Sequence, residues 1–359
     1  MNVHNLVVWL VLLFASASLS AAQSYTVTDL GVLKGDNESS GFWINSNGDV
    51  VGCSDTETAE GYPCTGLVPG QHAFLWTKSG GMKDLGTLPG ATVSGASGVN
   101  DTGVVVGYSN VKGELATNFV AVQWSASGAI TNLGTLSGGP SSAAFEINSS
   151  GVVAGDSFLS DGNVNATSWT SSKIKNIGSL AGAIFTAGLD INAVGSIVGE
   201  SVFSYGPPFT SHAFFWNGHT MKDLGTLPGG DSSIANALNA SGDTVGQSNG
   251  TSTGGNWHAV MWNSDHVITD LGILSGGTYS VAFGINGSST VVGYGNIFDN
   301  APHATIWTST GGMEDLNAFI PVGSGWVLIN ANAINDAGQI TGYGTKNGHN
   351  HAFLLTPTD

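Results

Sequence analysis

The chain has 359 residues and a formal net charge of −17, with eight lysines, no arginine and 54 glycines. So few cations give no basic surface for the phosphates of a nucleic acid, and the same sign disfavours binding to an anionic membrane. Apolar residues make up 41% of the chain and charged residues 9%, a composition that excludes a disordered acidic tail and predicts a folded core.

The first 22 residues have the composition of a secretory signal peptide. Residues 6–14 (LVVWLVLLF) form an apolar run too short to cross a bilayer, and the small residues Ser20, Ala21 and Ala22 provide a cleavage site. The segment before the run has no Lys or Arg, which departs from the usual pattern, and an uncleaved anchor is the alternative. We expect residues 1–22 to be removed, leaving residues 23–359 as one secreted, extracellular or periplasmic domain without a membrane span.

The two cysteines fit an oxidising compartment. Cys53 and Cys64 are 11 positions apart, and a disulfide closing that loop would contribute about 3 kcal/mol in the chain-entropy model. Two free thiols are the alternative. Because the chain has no CxxC motif and no nearby pair of histidines, zinc is not expected here.

A unit of about 47 residues recurs seven times between residues 23 and 359. Each copy has an Asn preceded by Ile, Val or Leu, and a Gly seven positions later, followed by an apolar strand that often reads HAF and by an Asp-Leu or similar pair. The repeat asparagines are Asn45, Asn100, Asn148, Asn192, Asn239, Asn286 and Asn335. The seventh copy of the last piece is missing at the C-terminus and stands instead at residues 25–31 (YTVTDLG).

Each unit contains four short segments of strand composition, which we call a to d, and no stretch suited to a helix. Four strands repeated radially predict an all-β, seven-bladed β-propeller with four-stranded blades. The displaced piece predicts that the N-terminal strand closes the last blade beside HAFLL (residues 351–355). A linear β-solenoid is the alternative, and it would show atypical capping ends rather than a displaced strand. We expect a monomer.

The a–b hairpin has two residues between Asn and a Gly or other turn residue, as in Asn100-Asp101-Thr102-Gly103. If Asn pairs with the residue three later, the small residue four before Asn, for example Ala96, faces the Gly seven after it. Phe and Trp of strand c alternate with small residues and are expected to pack between blades. The histidines recur with strand c and are interpreted as strand-edge packing rather than a metal centre.

These motifs resemble the HAF family of bacterial extracellular repeats, named for the triplet that is intact at His72, His212 and His351. The C-terminal run from DLNAFIP to HAFLLTP is similar to the closing segment of secreted members. The resemblance covers essentially all of residues 23–359. It implies a secreted bacterial repeat protein, and the family provides no assigned activity or catalytic residues.

The b–c connections vary in length from nine to twenty residues, whereas the d–a spacing is constant in six copies. In an up-and-down blade the b–c and d–a loops share one face. Variable loops on a rigid ring are the usual place for recognition, although loops also simply tolerate insertions. We therefore expect any glycan or protein partner to bind this loop face.

Four carboxylates depart from the repeat at matched positions of blades 3 and 4. Glu146 and Asp190 stand two before the Asn, where most copies have a small residue and blade 1 has Trp43. Asp156 and Glu200 stand one after the blade Gly. The cluster could bind Ca²⁺ through oxygen ligands, act as acid and base in a glycosidase-like reaction, or be a hydrogen-bonded set in an acidic protein. The recurring aspartates of strand d (Asp84, Asp223, Asp270, Asp315) are interpreted as structural.

These observations favour a secreted, non-enzymatic recognition or surface-scaffold propeller that binds a carbohydrate, a protein or a cation. The alternatives are a polysaccharide-cleaving enzyme using the carboxylates of blades 3 and 4, which would need them in one concavity, and a purely structural cell-surface spacer.

Overall fold

The computed structural model describes residues 24–56, 64, 70–111, 118–171, 173–298 and 300–358. The expected signal peptide, residues 1–22, lies outside these ranges, as do parts of the b–c connections of the first two repeats. In the described part of the chain, no helix is long and apolar enough to cross a membrane.

The described residues are nearly all in β-strands and turns, with one short 3-10 helix at Leu316–Phe319. In chain order the strands are β1 (Ser24–Gly31), β2 (Glu38–Ile44), β3 (Val50–Asp55), β4 (His72–Thr77), β5 (Gly81–Asp84), β6 (Ser94–Val99), β7 (Val105–Asn110), β8 (Phe119–Trp124), β9 (Ile130–Asn132), β10 (Ser142–Ile147), β11 (Val153–Phe158), β12 (Val164–Thr170), β13 (Lys173–Gly178), β14 (Phe185–Ile191), β15 (Ile197–Ser204), β16 (Thr210–Trp216), β17 (Met221–Asp223), β18 (Ser233–Leu238), β19 (Thr244–Ser248), β20 (His258–Trp262), β21 (Ile268–Gly272), β22 (Ser280–Ile285), β23 (Val291–Asn296), β24 (Pro302–Thr308), β25 (Gly312–Asp315), β26 (Trp326–Ile334), β27 (Ile340–Lys346) and β28 (His349–Thr358).

These strands form seven four-stranded antiparallel units within the described residues, so the predicted propeller fold is confirmed. We number them blade 1 (β2–β5), blade 2 (β6–β9), blade 3 (β10–β13), blade 4 (β14–β17), blade 5 (β18–β21), blade 6 (β22–β25) and blade 7 (β26–β28 with β1). Blades 3 and 4 are linked by a single parallel bridge between Val164 and Phe185.

Blade 7 combines the first and the last strand of the described residues. Strand β1 pairs antiparallel with β28, from Ser24 opposite Thr358 to Asp29 opposite Phe353, as the displaced d strand predicts. The a strands of neighbouring blades contact one another all round the ring and form its inner wall, whereas the short d strands are largely exposed on the outside.

The repeat asparagines join each blade to the next. Each side-chain Nδ2 donates a hydrogen bond of 3.0–3.4 Å to the backbone carbonyl oxygen of the next asparagine. The seven pairs are Asn45–Asn100, Asn100–Asn148, Asn148–Asn192, Asn192–Asn239, Asn239–Asn286, Asn286–Asn335 and Asn335–Asn45. Because the last pair returns to the first blade, the bonds form a complete circle, which we call the asparagine ring.

The a–b turn is one residue longer than predicted. Asn45 N–H donates to the carbonyl of Asp49, four residues later, and Gly48 adopts a φ of 81° within the turn. A β-bulge at Phe42 then restores the register, so Gly41 does face Gly52. The predicted pairing of the small residue with the blade glycine is confirmed in all seven blades, but through a longer turn plus a bulge.

The aromatic residues of strand c pack between blades, as predicted. Phe74 and Trp76 of blade 1 pack with Leu354 of blade 7, and Phe214 of blade 4 packs with Ala154 of blade 3. Each sheet therefore completes its hydrophobic core only against its neighbour, which is why single repeats are not expected to fold alone.

Candidate functional site

The four predicted carboxylates do not come together as one centre. In the described part of the chain no three His, Cys, Asp or Glu side chains form a group suited to a metal ion. The structure divides the four into two pairs, each linking blade 3 to blade 4. Glu146 interacts electrostatically with Asp190, and Asp156 with Glu200.

Glu146 and Asp190 are buried on the inner strands β10 and β14, 3% and 2% exposed. Burial raises the pKa of Glu146 well above its ordinary value, and the charge of Asp190 raises it further. Burial also raises the pKa of Asp190 to about 7, although its carboxylate accepts hydrogen bonds from the N–H groups of Leu238 and Ile191. Among the described residues, Glu146 Oε2 has no hydrogen-bond partner.

Asp156 and Glu200 lie on the b strands of the same two blades, β11 and β15. Burial raises the pKa of each to about 7; for Asp156, the backbone N–H of Ala143 opposes the shift and the charge of Glu200 adds to it. Tyr205 is close enough to feel both charges. This pair can hold a proton near neutral pH, which is the chemical property that an acid catalyst requires.

Trp43 lies on β2 of blade 1, whereas both carboxylate pairs lie in blades 3 and 4. Its indole is partly buried and packs against the core between blades 7 and 1 and the core between blades 1 and 2. It has a packing role, and it does not join the carboxylates.

The histidines of strand c pair with the aspartates of strand d. The Nδ1–carboxylate distances are 2.6–3.0 Å in the pairs His72–Asp84, His212–Asp223, His258–Asp270, His303–Asp315 and His351–Asp29. In blade 3 both partners are asparagine, and Asn165 donates to Asn176. The recurrence of these residues is therefore explained by a cross-strand hydrogen bond, the sheet counterpart of a helix side-chain pair.

The predicted disulfide between Cys53 and Cys64 is present, with a Cα–Cα distance of 6.0 Å. It connects the end of β3 to the b–c connection of blade 1. The backbone N–H of Cys64 donates to Asp55 Oδ2 at 3.0 Å, so the crosslink also fixes a contact to a buried carboxylate.

Two concave regions stand out. The larger, about 730 Å³, lies between blades 2 and 3 at the face of the a–b and c–d turns, and its lining includes Ser150, Ser171 and Lys173. The smaller, about 290 Å³, lies at the inner strands of blades 6, 7 and 1, and we call it the aromatic pocket. None of the four predicted carboxylates lines either region.

The aromatic pocket lies toward the face of the b–c and d–a loops. Tyr279 precedes β22 and Pro302 begins β24, and both line the pocket. Its other lining residues are Ser40, Phe42, Phe283, Tyr294, Ile329, Asn330, Asn332 and Tyr343. In a chain of net charge −17, the described lining of this pocket contains no charged residue.

The rings and amides of the aromatic pocket are ordered by contacts between blades. Phe283 stacks on Tyr294 with ring centroids 5.6 Å apart and planes at 11°. Asn332 Nδ2 donates to the carbonyl of Gly41 at 2.8 Å, across the junction of blades 7 and 1. The Oδ1 atom of Asn330 is buried and has no hydrogen-bond partner among the described residues.

This pocket was not predicted from the sequence. Phe42, Phe283 and Asn332 stand three before the repeat Asn, at the position that the structure shows to be a bulge. A bulge re-aims the side chain of its extra residue. The sequence does contain a signal for the pocket, because these large or amide residues interrupt a strand of otherwise small residues. The predicted pairing of the a–b hairpin did not include the bulge that turns their side chains.

Comparison with known proteins identifies the fold and no family. No family model and no curated protein matches this chain. Among solved structures it is similar to the β-propeller domain of the Trilobed protease from Pyrococcus furiosus, with a TM-score of 0.52, 9% identity, and coverage of 90% of this chain and 98% of that one. That domain is described as having an open velcro topology, whereas β1 and β28 pair here.

A streptogramin B lyase structure is similar with a TM-score of 0.50 and 10% identity, covering 93% of this chain and 98% of that one. The acylaminoacyl peptidase from Pyrococcus horikoshii gives a TM-score of 0.53 at 11% identity. The match covers 92% of this chain and 54% of the peptidase, so this chain spans about half of the peptidase's length. At identities this low, the similarity concerns the fold alone. It supports the conclusion that the chain is a β-propeller.

Proposed function

We propose that this chain is a secreted, non-enzymatic recognition propeller that binds a neutral carbohydrate in the aromatic pocket. The observation that carries the proposal is the uncharged lining of aromatic rings and amides at the inner end of the loop face. Aromatic rings offer flat apolar faces for the C–H faces of a sugar ring, and amides such as Asn330 and Asn332 pair with its hydroxyls.

The charge of the chain supports a neutral ligand over an anionic one. A net charge of −17 repels acidic glycans at long range, and the described lining of the pocket contains no basic side chain to attract them. The same proposal includes export from a bacterial cell, a monomeric state and membership of the HAF-type repeats. The Cys53–Cys64 disulfide supports export, because disulfides persist in oxidising compartments.

A polysaccharide-cleaving enzyme is the rival function, and the raised pKa values of Asp156 and Glu200 favour it. A glycosidase needs both carboxyl groups at one sugar-binding cleft, about 5–9.5 Å apart. Because Asp156 is 8% exposed and neither residue lines the aromatic pocket, binding and cleavage would need different parts of the ring. The purely structural spacer is the other rival, and it predicts no saturable ligand.

The test is a titration of the purified chain with a panel of neutral and acidic oligosaccharides by calorimetry, with reducing-end formation measured in parallel. We expect saturable binding of a neutral glycan without cleavage. Phe283→Ala should weaken it about tenfold, the equivalent of one aromatic contact. Phe145→Ala, at the matching bulge position of blade 3, is the control and should bind as the parent does.

Each rival has its own result. Cleavage that is lost in Glu200→Gln and kept in Phe283→Ala would establish the enzyme instead. No saturable binding across the panel would favour the spacer and contradict the recognition proposal.

A further inference from the structure

One face of the first hairpin contains buried oxygen atoms without partners. Glu38 is 3% exposed, Ser40 1% and Asp55 0%. In the described part of the chain seven buried side-chain polar atoms have no hydrogen-bond partner, and Glu38 Oε2, Ser40 Oγ and Asp55 Oδ1 are three of them. Such atoms are costly to bury, and their concentration on one hairpin needs an explanation.

The three atoms belong to one side of the sheet. Glu38 on β2 is directly opposite Asp55 on β3, and Ser40 is opposite Cys53. Because side chains alternate between the faces of a strand, Glu38 and Ser40 point to the same face, and so do Asp55 and Cys53. We call Glu38 Oε2, Ser40 Oγ and Asp55 Oδ1 the closure oxygen cluster.

Among the described residues, the surroundings of the cluster provide few donors and no cation. Cys64 N–H donates to Asp55 Oδ2 at 3.0 Å, and Asn350 Nδ2 of blade 7 donates to Glu38 Oε1 at 3.4 Å. None of the ion pairs formed by the described residues involves Glu38 or Asp55. Two carboxylates are thus buried side by side, and each has one oxygen without a partner in the described part of the chain.

The other blades show that the fold does not require a charge at this position. The residue ten after the repeat Asn is Asn110, Asn249 or Asn296 in blades 2, 5 and 6. In each case its Oδ1 accepts two backbone N–H groups from the loop before the inner strand, at 2.8–3.0 Å. In blade 1 the residue is Asp55, and its Oδ1 accepts none among the described residues. Blade 1 therefore replaces a satisfied amide by a carboxylate of which one oxygen, Oδ1, has no partner among the described residues.

We propose that the closure oxygen cluster binds one Ca²⁺ ion at the junction of blades 1 and 7, with Glu38 and Asp55 as its charged ligands. Ca²⁺ takes carboxylate and neutral oxygens in irregular arrangements and completes its shell with backbone carbonyls and water. Mg²⁺ demands near-ideal octahedral geometry and gives up its water reluctantly, so a buried set of this kind selects against it.

The electrostatics favour a cation at this place. Burial raises the pKa of Asp55 to about 6; the Cys64 N–H opposes that shift, and the charges of Glu38 and Asp36 add to it. At neutral pH the Asp55 carboxyl is thus mostly ionised while it faces other negative charges. A divalent ion would remove that repulsion, and it would connect blade 1 to the blade that holds both chain ends.

The test uses the purified full chain after removal of divalent ions with a chelator. Calorimetric titration with CaCl₂ at pH 7.5 should give one site per chain, with markedly weaker binding of MgCl₂. At a hundredfold excess of Ca²⁺ over its dissociation constant, Tm should rise by about 4 °C, since the ion binds the folded state.

Asp55→Asn is the informative variant, because it restores the residue that blades 2, 5 and 6 carry and should fold. We expect its Ca²⁺ affinity to fall at least tenfold and its Tm to stop responding to Ca²⁺. Glu38→Gln should behave in the same way, and it provides the comparison should Asp55→Asn fail to fold. Asp156→Asn, in the other acidic region, is the control and should respond to Ca²⁺ as the parent does.

The proposal is overturned when the parent neither binds Ca²⁺ at about 5 mM nor gains Tm. It is also overturned when both variants bind like the parent, or when Asp156→Asn alone abolishes binding. The glycan panel does not enter this experiment, so the two proposals can fail independently.

Discussion

Substitutions in the asparagine ring test what joins the blades of this propeller. Asn148 is 6% exposed, and its Nδ2 donates to the carbonyl of Asn192 in the next blade at 3.1 Å. Its Oδ1 accepts the backbone N–H groups of Ser150 and Val152 at 3.1 and 3.0 Å. One side chain thus closes its own turn and connects two sheets. The perturbations we choose are Asn148→Ala, which removes both functions, and Asn148→Asp, which keeps the acceptor and loses the donor.

The expected magnitude follows from the three bonds to backbone groups, since the fourth, from the exposed Ser150 hydroxyl to Asn148 Oδ1 at 2.8 Å, can be replaced by water. Each hydrogen bond contributes about 1 kcal/mol net, so Asn148→Ala should reduce the free energy of unfolding by about 3 kcal/mol. Asn148→Asp should keep the turn and lose the bond between blades, and it also brings a carboxylate to the carbonyl of Asn192. We expect Asn148→Asp to reduce the free energy of unfolding by about 2 kcal/mol, because the bond between blades is lost and the carboxylate is repelled by the carbonyl.

The assay is urea denaturation at fixed pH. The slope of the unfolding free energy against urea concentration is compared between variants, to confirm that unfolding exposes the same surface in each. Ser149→Ala, an exposed neighbour in the same turn, is the control and should lie within about 0.5 kcal/mol of the parent. An Asn148→Ala variant within 0.5 kcal/mol of the parent would refute the reasoning. A double variant with Asn335→Asp then measures whether breaks at two places in the ring add.

Three further predictions concern the turns, the closure and the buried acids. Ser289 has a φ of 58° at the turn position where the other blades have glycine, so Ser289→Gly should raise the unfolding free energy by about 0.5–1 kcal/mol, and Gly103→Ser should lower it by about 1 kcal/mol, both measured in urea. Deletion of Ser24–Gly31 exposes the edge of β28, and gel filtration should show self-association; a monomer as stable as the parent would contradict the closure. The pKa of Asp190 is about 7 when folded against an ordinary 3.8, so the folded state takes up a proton between these values and stability should increase by about 2 kcal/mol from pH 8 to 5.5. Glu146→Gln should be more stable than the parent at pH 8 and show a smaller pH response, and thermal unfolding that is independent of pH would contradict both statements.

Much of the fold could be predicted from local pattern. The repeat spacing, the displaced strand at residues 25–31 and the opposition of small residues to the blade glycine all follow from strand pairing, which depends on nearest neighbours in sequence and in the sheet. The aromatic side chains of strand c were expected between blades because alternation allows only two faces. The turn was predicted one residue too short, and a bulge compensated for that difference.

The contacts between blades were decided by the tertiary structure. That the asparagines form a circle depends on the angle between successive sheets, which no single repeat encodes. The structure also separates Glu146 with Asp190, on the a strands, from Asp156 with Glu200, on the b strands, although one sequence rule selected all four. The bulge is local to each hairpin, but the aromatic pocket to which it turns Phe42 and Phe283 forms only where blades 6, 7 and 1 meet. The contact of Asn350 with Glu38 likewise forms only when the ring closes. Sequence by itself determined the unit and the number of copies, whereas the curvature of the ring decided which side chains meet.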